Sequence, residues 1–133
     1  MNAFSGYIEL TIEGEQIPFK FGSNAYGLFC EMHGLEFWEI GSSGVFGEVD
    51  DKGKIIKPPD MNKLRDLYFC AHQAAMRSKG QSEKLNAYQI GDLLDDNEDI
   101  NLKLQETIIK SKIFGVTIDD LAKRASKEEP KKK

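Results

Sequence analysis

Two cysteines and two histidines are all this 133-residue chain offers of the side chains that most often bind metals, carry redox chemistry or act as nucleophiles. Cys30 and Cys70 each sit inside an apolar helical pattern. They read as small buried hydrophobes of a reducing compartment, with a single bridge between helices as the alternative. A zinc site would draw on Cys30 with His33 and on Cys70 with His72. The first pair is spaced i,i+3 and shares a helix face. The second is spaced i,i+2, which sets the side chains about 200° apart on a helix, so they do not converge on one ion. Packed cysteines and hydrogen-bonded histidines are expected instead, with no metal and no cofactor. His33 has no identifiable nucleophile partner, so no catalytic residue is assigned and the chain does not read as an enzyme.

An excess of positive charge is also missing. The net charge is −4, whereas a nucleic-acid protein needs a concentrated basic face. Basic residues cluster only in the last dozen positions, where Glu128 and Glu129 dilute them. No apolar run approaches the ~20 residues of a membrane span, and the N-terminus lacks the basic-then-apolar order of a secretory signal. A cytoplasmic protein without membrane or nucleic-acid partners is expected.

What is present is helical pattern. From Met61 to Lys79, apolar residues cover more than half the helical wheel: Met61, Leu64, Leu67, Tyr68, Ala71, Ala74 and Ala75, extended by Phe69 and Met76. A surface helix shows a narrower stripe, so this one should be covered on two or more sides. Pro58-Pro59 stops any preceding helix, Asp60 can cap the first turn, and Gly80 suits a left-handed exit.

Around this central helix the pattern predicts an α+β, mainly helical fold. A hairpin over residues 7–21 alternates Ile8, Leu10, Ile12 and then Ile17, Phe19, Phe21 about Glu13-Gly14-Glu15, with Pro18 requiring an edge or an outward position. Helices follow at about 24–33 (capped by Ser23, stopped by Gly34), 61–79, 87–94 (capping box Asn86/Gln89), 100–114 (closed by Gly115) and 118–125 (Thr117 with Asp120). Residues 35–40 suit a short helix or an extended segment. Residues 41–59 form an irregular insertion, a small hairpin or ordered loop turning at Asp50-Asp51-Lys52-Gly53. One domain of residues 1–126, a bundle of four to five helices with the hairpin packed on it, would then precede a disordered tail at 127–133.

Two further patterns bear on function. Asp95, Asn97, Asp99, Asn101 and Glu106 match positions 1, 3, 5, 7 and 12 of a calcium loop, but Ile100 stands where the loop requires glycine. An acidic first turn complementing a helix dipole is the simpler account. Gly41, Gly44 and Gly47 form a G-x-x-G-x-x-G run without the lysine of a phosphate loop, so they indicate flexibility. In the helix from Ile100, apolar residues fall in two opposed stripes: Leu102, Ile109 and Ile113, and Leu104 with Ile108. One stripe meets the core, and the other needs the terminal helix or a partner.

The segment Gly14 to Leu35, a hairpin ending in Ile17-Pro18-Phe19-Lys20-Phe21 and followed at once by a helix with an aromatic-rich face, resembles the opening of tail assembly chaperones of long-tailed (siphovirus-like) bacteriophages and prophages. The order that follows fits in outline over residues 7–125: a long central helix with Tyr68, Ala71 and Ala74-Ala75, then a capped helix at 86–94, then further helices. The resemblance implies a chaperone without catalytic residues. It would bind the tape-measure protein, whose apolar helices otherwise aggregate, and help tail-tube subunits polymerise around it; homo-oligomers are compatible with it. It also implies a frameshifted longer form, for which codons of Lys131–Lys133 would supply the slippery run. Exposed-apolar reasoning offers Phe37, Trp38, Phe46, Leu104 and Ile108 as partner-binding residues. The alternatives are a generic interaction or regulatory domain of a mobile element, and a calcium-binding protein using the acidic segment.

Overall fold

In the computed structural model, which describes residues 5–118 and Asp120, the chain opens with strands β1 (Tyr7–Ile12) and β2 (Glu15–Lys20), paired antiparallel with Ile8 opposite Phe19 and Leu10 opposite Ile17. The alternation places Leu10, Ile17 and Phe19 in the core and leaves Ile8 and Ile12 partly buried against it. Glu13 and Gly14 form the two-residue turn, both left-handed (φ 52° and 80°), which matches the twist of the strands. A glutamate is strained there. We expect Glu13→Asn, which tolerates this conformation, to raise stability by about 0.5–1 kcal/mol in chemical denaturation.

Helix α1 (Ser23–His33) begins at Gly22 with no side-chain cap. The cap assigned to Ser23 is therefore not made, because Ser23 is already the first helical residue. Gly34 closes the helix in the left-handed conformation, as its sequence position suggests. The segment after it takes the short-helix alternative, in 3-10 form. Phe37–Glu39 is a single 3-10 turn held by a reciprocal capping box in which Glu36 N donates to Glu39 Oε1 (2.7 Å). A second such turn spans Gly41–Ser43.

Strands β3 (Glu48–Val49) and β4 (Ile55–Lys57) make the small hairpin, turned by Asp50, whose Oδ1 accepts from Lys52 N (2.9 Å) and Lys54 N (2.8 Å). This segment is tied to the start of helix α2 (Met61–Ser78). Gly44 O accepts from Asp60 N (2.8 Å), and Lys63 Nζ donates to Ser43 O (2.7 Å). Asp60 caps α2 through Lys63 N (3.1 Å).

Helix α2 is the centre of the molecule, packed by α1, β2 and helix α3 (Ala87–Asp96). Its buried side chains include Leu67, Tyr68, Cys70, Ala71, Ala74, Ala75 and Met76, while Met61, its first residue, is exposed. Asn86 and Gln89 form the expected capping box at α3 (2.8 Å each way).

Helix α4 (Glu98–Lys110) follows after Asn97 alone and stops earlier than the pattern suggests. Ser111 is buried in extended conformation, its hydroxyl shared with Tyr26 Oη (2.9 Å) and Ile108 O (2.6 Å). The chain then reverses through β5 (Lys112–Ile113) and β6 (Val116–Thr117), with Phe114 (φ 49°) and Gly115 (φ 86°) at the tip. Ile113 therefore belongs to a strand and is buried, not part of a helical stripe. Thr117 Oγ1 accepts from Asp120 N (3.1 Å). The rest of the helix expected at 118–125, and the tail at 127–133, lie outside the described residues. The fold is α+β and mainly helical. No described helix is long and apolar enough to cross a membrane.

Candidate partner-binding surface

The His33–Asp66 contact fixes how α1 lies on α2: the C-terminal end of α1 meets the first half of α2, with His33 Nε2 3.0 Å from Asp66 Oδ2. Arg65 holds the other carboxylate oxygen through Nε (3.1 Å) and one terminal guanidinium nitrogen (2.9 Å). Arg65 also lies over the ring of Tyr88, 5.1 Å from its centroid, a cation–π contact that ties α3 to α2. Asp66, which the helical wheel places on the polar side, is thus buried but fully paired. Among the described residues, neither cysteine near this group is activated. Burial, with Glu36 and Glu39 nearby, pushes the Cys30 thiol up, and burial with Asp66 pushes Cys70 up to about 12. Both remain protonated thiols at neutral pH, the unreactive form.

The remaining metal candidates fail on geometry. His72 uses both ring nitrogens inside the protein: Nδ1 is 2.9 Å from Pro18 O, and Nε2 is 2.9 Å from Lys84 N and 3.3 Å from Leu85 N. The would-be calcium loop from Asp95 to Glu106 is mostly helix, since α3 runs to Asp96 and α4 starts at Glu98. A helical backbone cannot wrap its side chains around one ion as a calcium loop does.

Beside the α1–α2 junction the 3-10 turn presents apolar surface. Trp38 is 73% exposed and Phe37 45%. The capping box fixes the turn from one side, and the buried Ile40 anchors it from the other. Phe46 does not join them in the open: it is half-buried and packs against the core, next to the fully buried Val45.

Leu104 and Ile108 are corrected by the structure. They face β1 and the core, Leu104 wholly buried and Ile108 nearly so, and offer nothing to a partner. The opposite stripe, Leu102 and Ile109, is the exposed one at 53% and 64%. Both stripes have the same apolar character in sequence, so the docking of α4 on the hairpin decides which is hidden.

Sequence reasoning also passed over Ile55 and Ile56 on β4 and Phe114, all well exposed, and put Met61, exposed as well, on the covered face of the central helix. Ile55 and Ile56 belong to the segment that the Gly44–Asp60 and Ser43–Lys63 hydrogen bonds tie to the N-terminal end of α2. The only signal for them was the break in helical periodicity between residues 41 and 59. The larger surface groove, about 490 Å³ between the first turns of α1 and the last of α2, holds Glu31 and Arg77 as its only charged side chains.

No protein-family model, curated protein or solved structure matches the chain.

Proposed function

We propose that the protein is a non-catalytic assembly chaperone, of the kind its N-terminal segment resembles. It shelters apolar helices of a tape-measure-like partner in the host cytoplasm and helps tail-tube subunits assemble on them. The observation that carries this reading is the Phe37–Trp38 pair, solvent-exposed on a turn whose geometry is set before binding. A large aromatic surface held rigid loses little conformational entropy on association, and tryptophan is the residue most often found at the energetic centre of interfaces. Net negative charge keeps such a protein soluble while it exposes apolar surface.

Co-expression with the tape-measure-like chain of a neighbouring reading frame tests this. The intact protein should hold that chain in the soluble fraction. Phe37→Ala with Trp38→Ala should lose most of the effect while shifting the stability of the domain by only about 0.5 kcal/mol, the usual scale for surface changes. A partner that stays insoluble with the intact protein would overturn the reading, and a fully active double variant would remove the aromatic pair from it.

A further inference from the structure

Helices α1 and α2 run antiparallel. At one end His33 lies 3.0 Å from Asp66. At the other, Ser23, Asn24 and Gly27 of α1 border one groove with Ala74, Arg77 and Ser78 of α2. Steps of three back along α1 from His33 lead to Cys30 and Gly27, and steps of four forward along α2 from Asp66 lead to Cys70 and Ala74. Residues so spaced share a helix face. Between the His33–Asp66 rung and the Gly27–Ala74 rung, Cys30 therefore stands opposite Cys70. Electrostatics agree. Burial pushes the Cys70 thiol up most, and the groups that act on it after burial are Asp66, Arg77 and Cys30. Asp66 and Arg77 belong to the same helix as Cys70, whereas Cys30 acts on it across the interface.

The backbones have room to come close here, because the next rung holds only a glycine and an alanine. Packed helices have axes about 8–10 Å apart, and each Cα lies about 2.3 Å off its axis, so facing Cα atoms approach to about 4–6 Å. That is the separation a disulfide spans. Both thiols are free in the structure. They differ in access: Cys70 is wholly buried, and Cys30 is only partly so.

We propose that Cys30 and Cys70 are a redox-controlled lock between α1 and α2, closed by a small-molecule disulfide such as oxidised glutathione. Cys30, the accessible thiol, loses its proton and attacks one sulfur of the glutathione disulfide. A mixed disulfide forms on Cys30, and the first glutathione leaves as a thiolate that takes up a proton. Cys70 then loses its proton and attacks the Cys30 sulfur, forming the interhelical bond and expelling the second glutathione. Two protein thiols are oxidised and one glutathione disulfide is reduced to two thiols. Both cysteines are protonated at neutral pH, so the lock closes slowly there and faster as pH rises. The bond joins residues 40 positions apart and encloses Phe37 and Trp38 in its loop. None of this depends on the chaperone reading.

Incubation of the full-length protein with excess oxidised glutathione at about pH 8.5, where thiolate is more abundant, tests the lock. The product, quenched with acid and mapped without reduction, should contain a Cys30–Cys70 peptide pair from a single chain and carry no glutathione. Its Tm should rise by about 5 °C or more and return to the starting value with dithiothreitol. Cys70→Ala should stop at the mixed disulfide, with one glutathione on Cys30, and Cys30→Ser should leave Cys70 unmodified. The wild-type map decides even where a variant fails to fold: glutathione retained on Cys30 without the linked pair would overturn the proposal. So would a chain that stays reduced, a bond joining two molecules, or a linked product whose Tm is unchanged or lower.

Discussion

Replacing His72 with alanine should cost about 3–4 kcal/mol of unfolding free energy, read as a lower urea midpoint. The ring is wholly buried, packed 5.6 Å from Phe19, and joins three segments distant in sequence. Because Nε2 faces the N–H groups of Lys84 and Leu85, it must accept, so the proton sits on Nδ1 and is donated to Pro18 O. Alanine strands one carbonyl and two N–H groups and leaves a void under the hairpin; each unpaired buried group costs about 1–3 kcal/mol before any rescue by water. His72→Asn, whose amide nitrogen overlays Nδ1, should recover part of the loss by restoring the Pro18 bond. If the alanine variant lost less than about 1 kcal/mol, the imidazole would not be the joint described here.

The same geometry sets a pH dependence. Burial holds the His72 pKa below its usual value, partly offset by the Pro18 carbonyl and the Glu83 carboxylate, with Lys84 acting in the direction of burial. A protonated ring would also turn Nε2 into a donor against two donors. The unfolded chain therefore takes up the proton first. Stability should be level above about pH 6.5 and fall below it, by up to about 1.4 kcal/mol per pH unit, until the folded form titrates as well. Urea midpoints between about pH 7 and 5 should show this slope in the wild type and a shallower one in His72→Ala.

Gly6→Ala should be comparably damaging, at about 3 kcal/mol. Gly6 has φ +78°, and an added Cβ would lie 2.1 Å from Phe21 O and 3.0 Å from the Ser111 Cβ. Gly6 O also accepts from Phe21 N at 2.7 Å. To admit the methyl group, the backbone must move away from the point where the hairpin, the buried Phe21 and Ser111 meet, losing that hydrogen bond on top of the dihedral strain. Gly14→Ala is the matched control. Its φ is +80° with nothing within 4 Å of the added carbon, so only the strain, about 1–2 kcal/mol, should appear. Equal losses at the two sites would show that the close approach at Gly6 contributes nothing.

Local patterns carried most of the secondary structure. The alternation about Glu13-Gly14, the Asp60 cap, the Asn86/Gln89 box and the Asp50 turn all depend on residues within a few positions of each other, and each is present. The predicted end of α4 failed because its stop is not local. Ser111 leaves the helix where its hydroxyl meets Tyr26, 85 residues earlier in the chain. Of the partner-binding candidates, Phe37 and Trp38 are exposed while Leu104 and Ile108 are core, and no sequence rule separates the four, since apolarity alone does not say which face is covered.

Composition and periodicity determined that this chain folds as helices around one broad apolar helix with a hairpin in front, because burial of apolar side chains follows the 3.6- and 2-residue repeats wherever they run. Tertiary structure alone decided which stripe of α4 meets the hairpin, that Asp66 is buried with His33 and Arg65, and that His72 joins β2 to the linker before α3. Those outcomes turn on the relative placement of elements 12 to 85 residues apart in the chain, a distance over which no local repeat carries information.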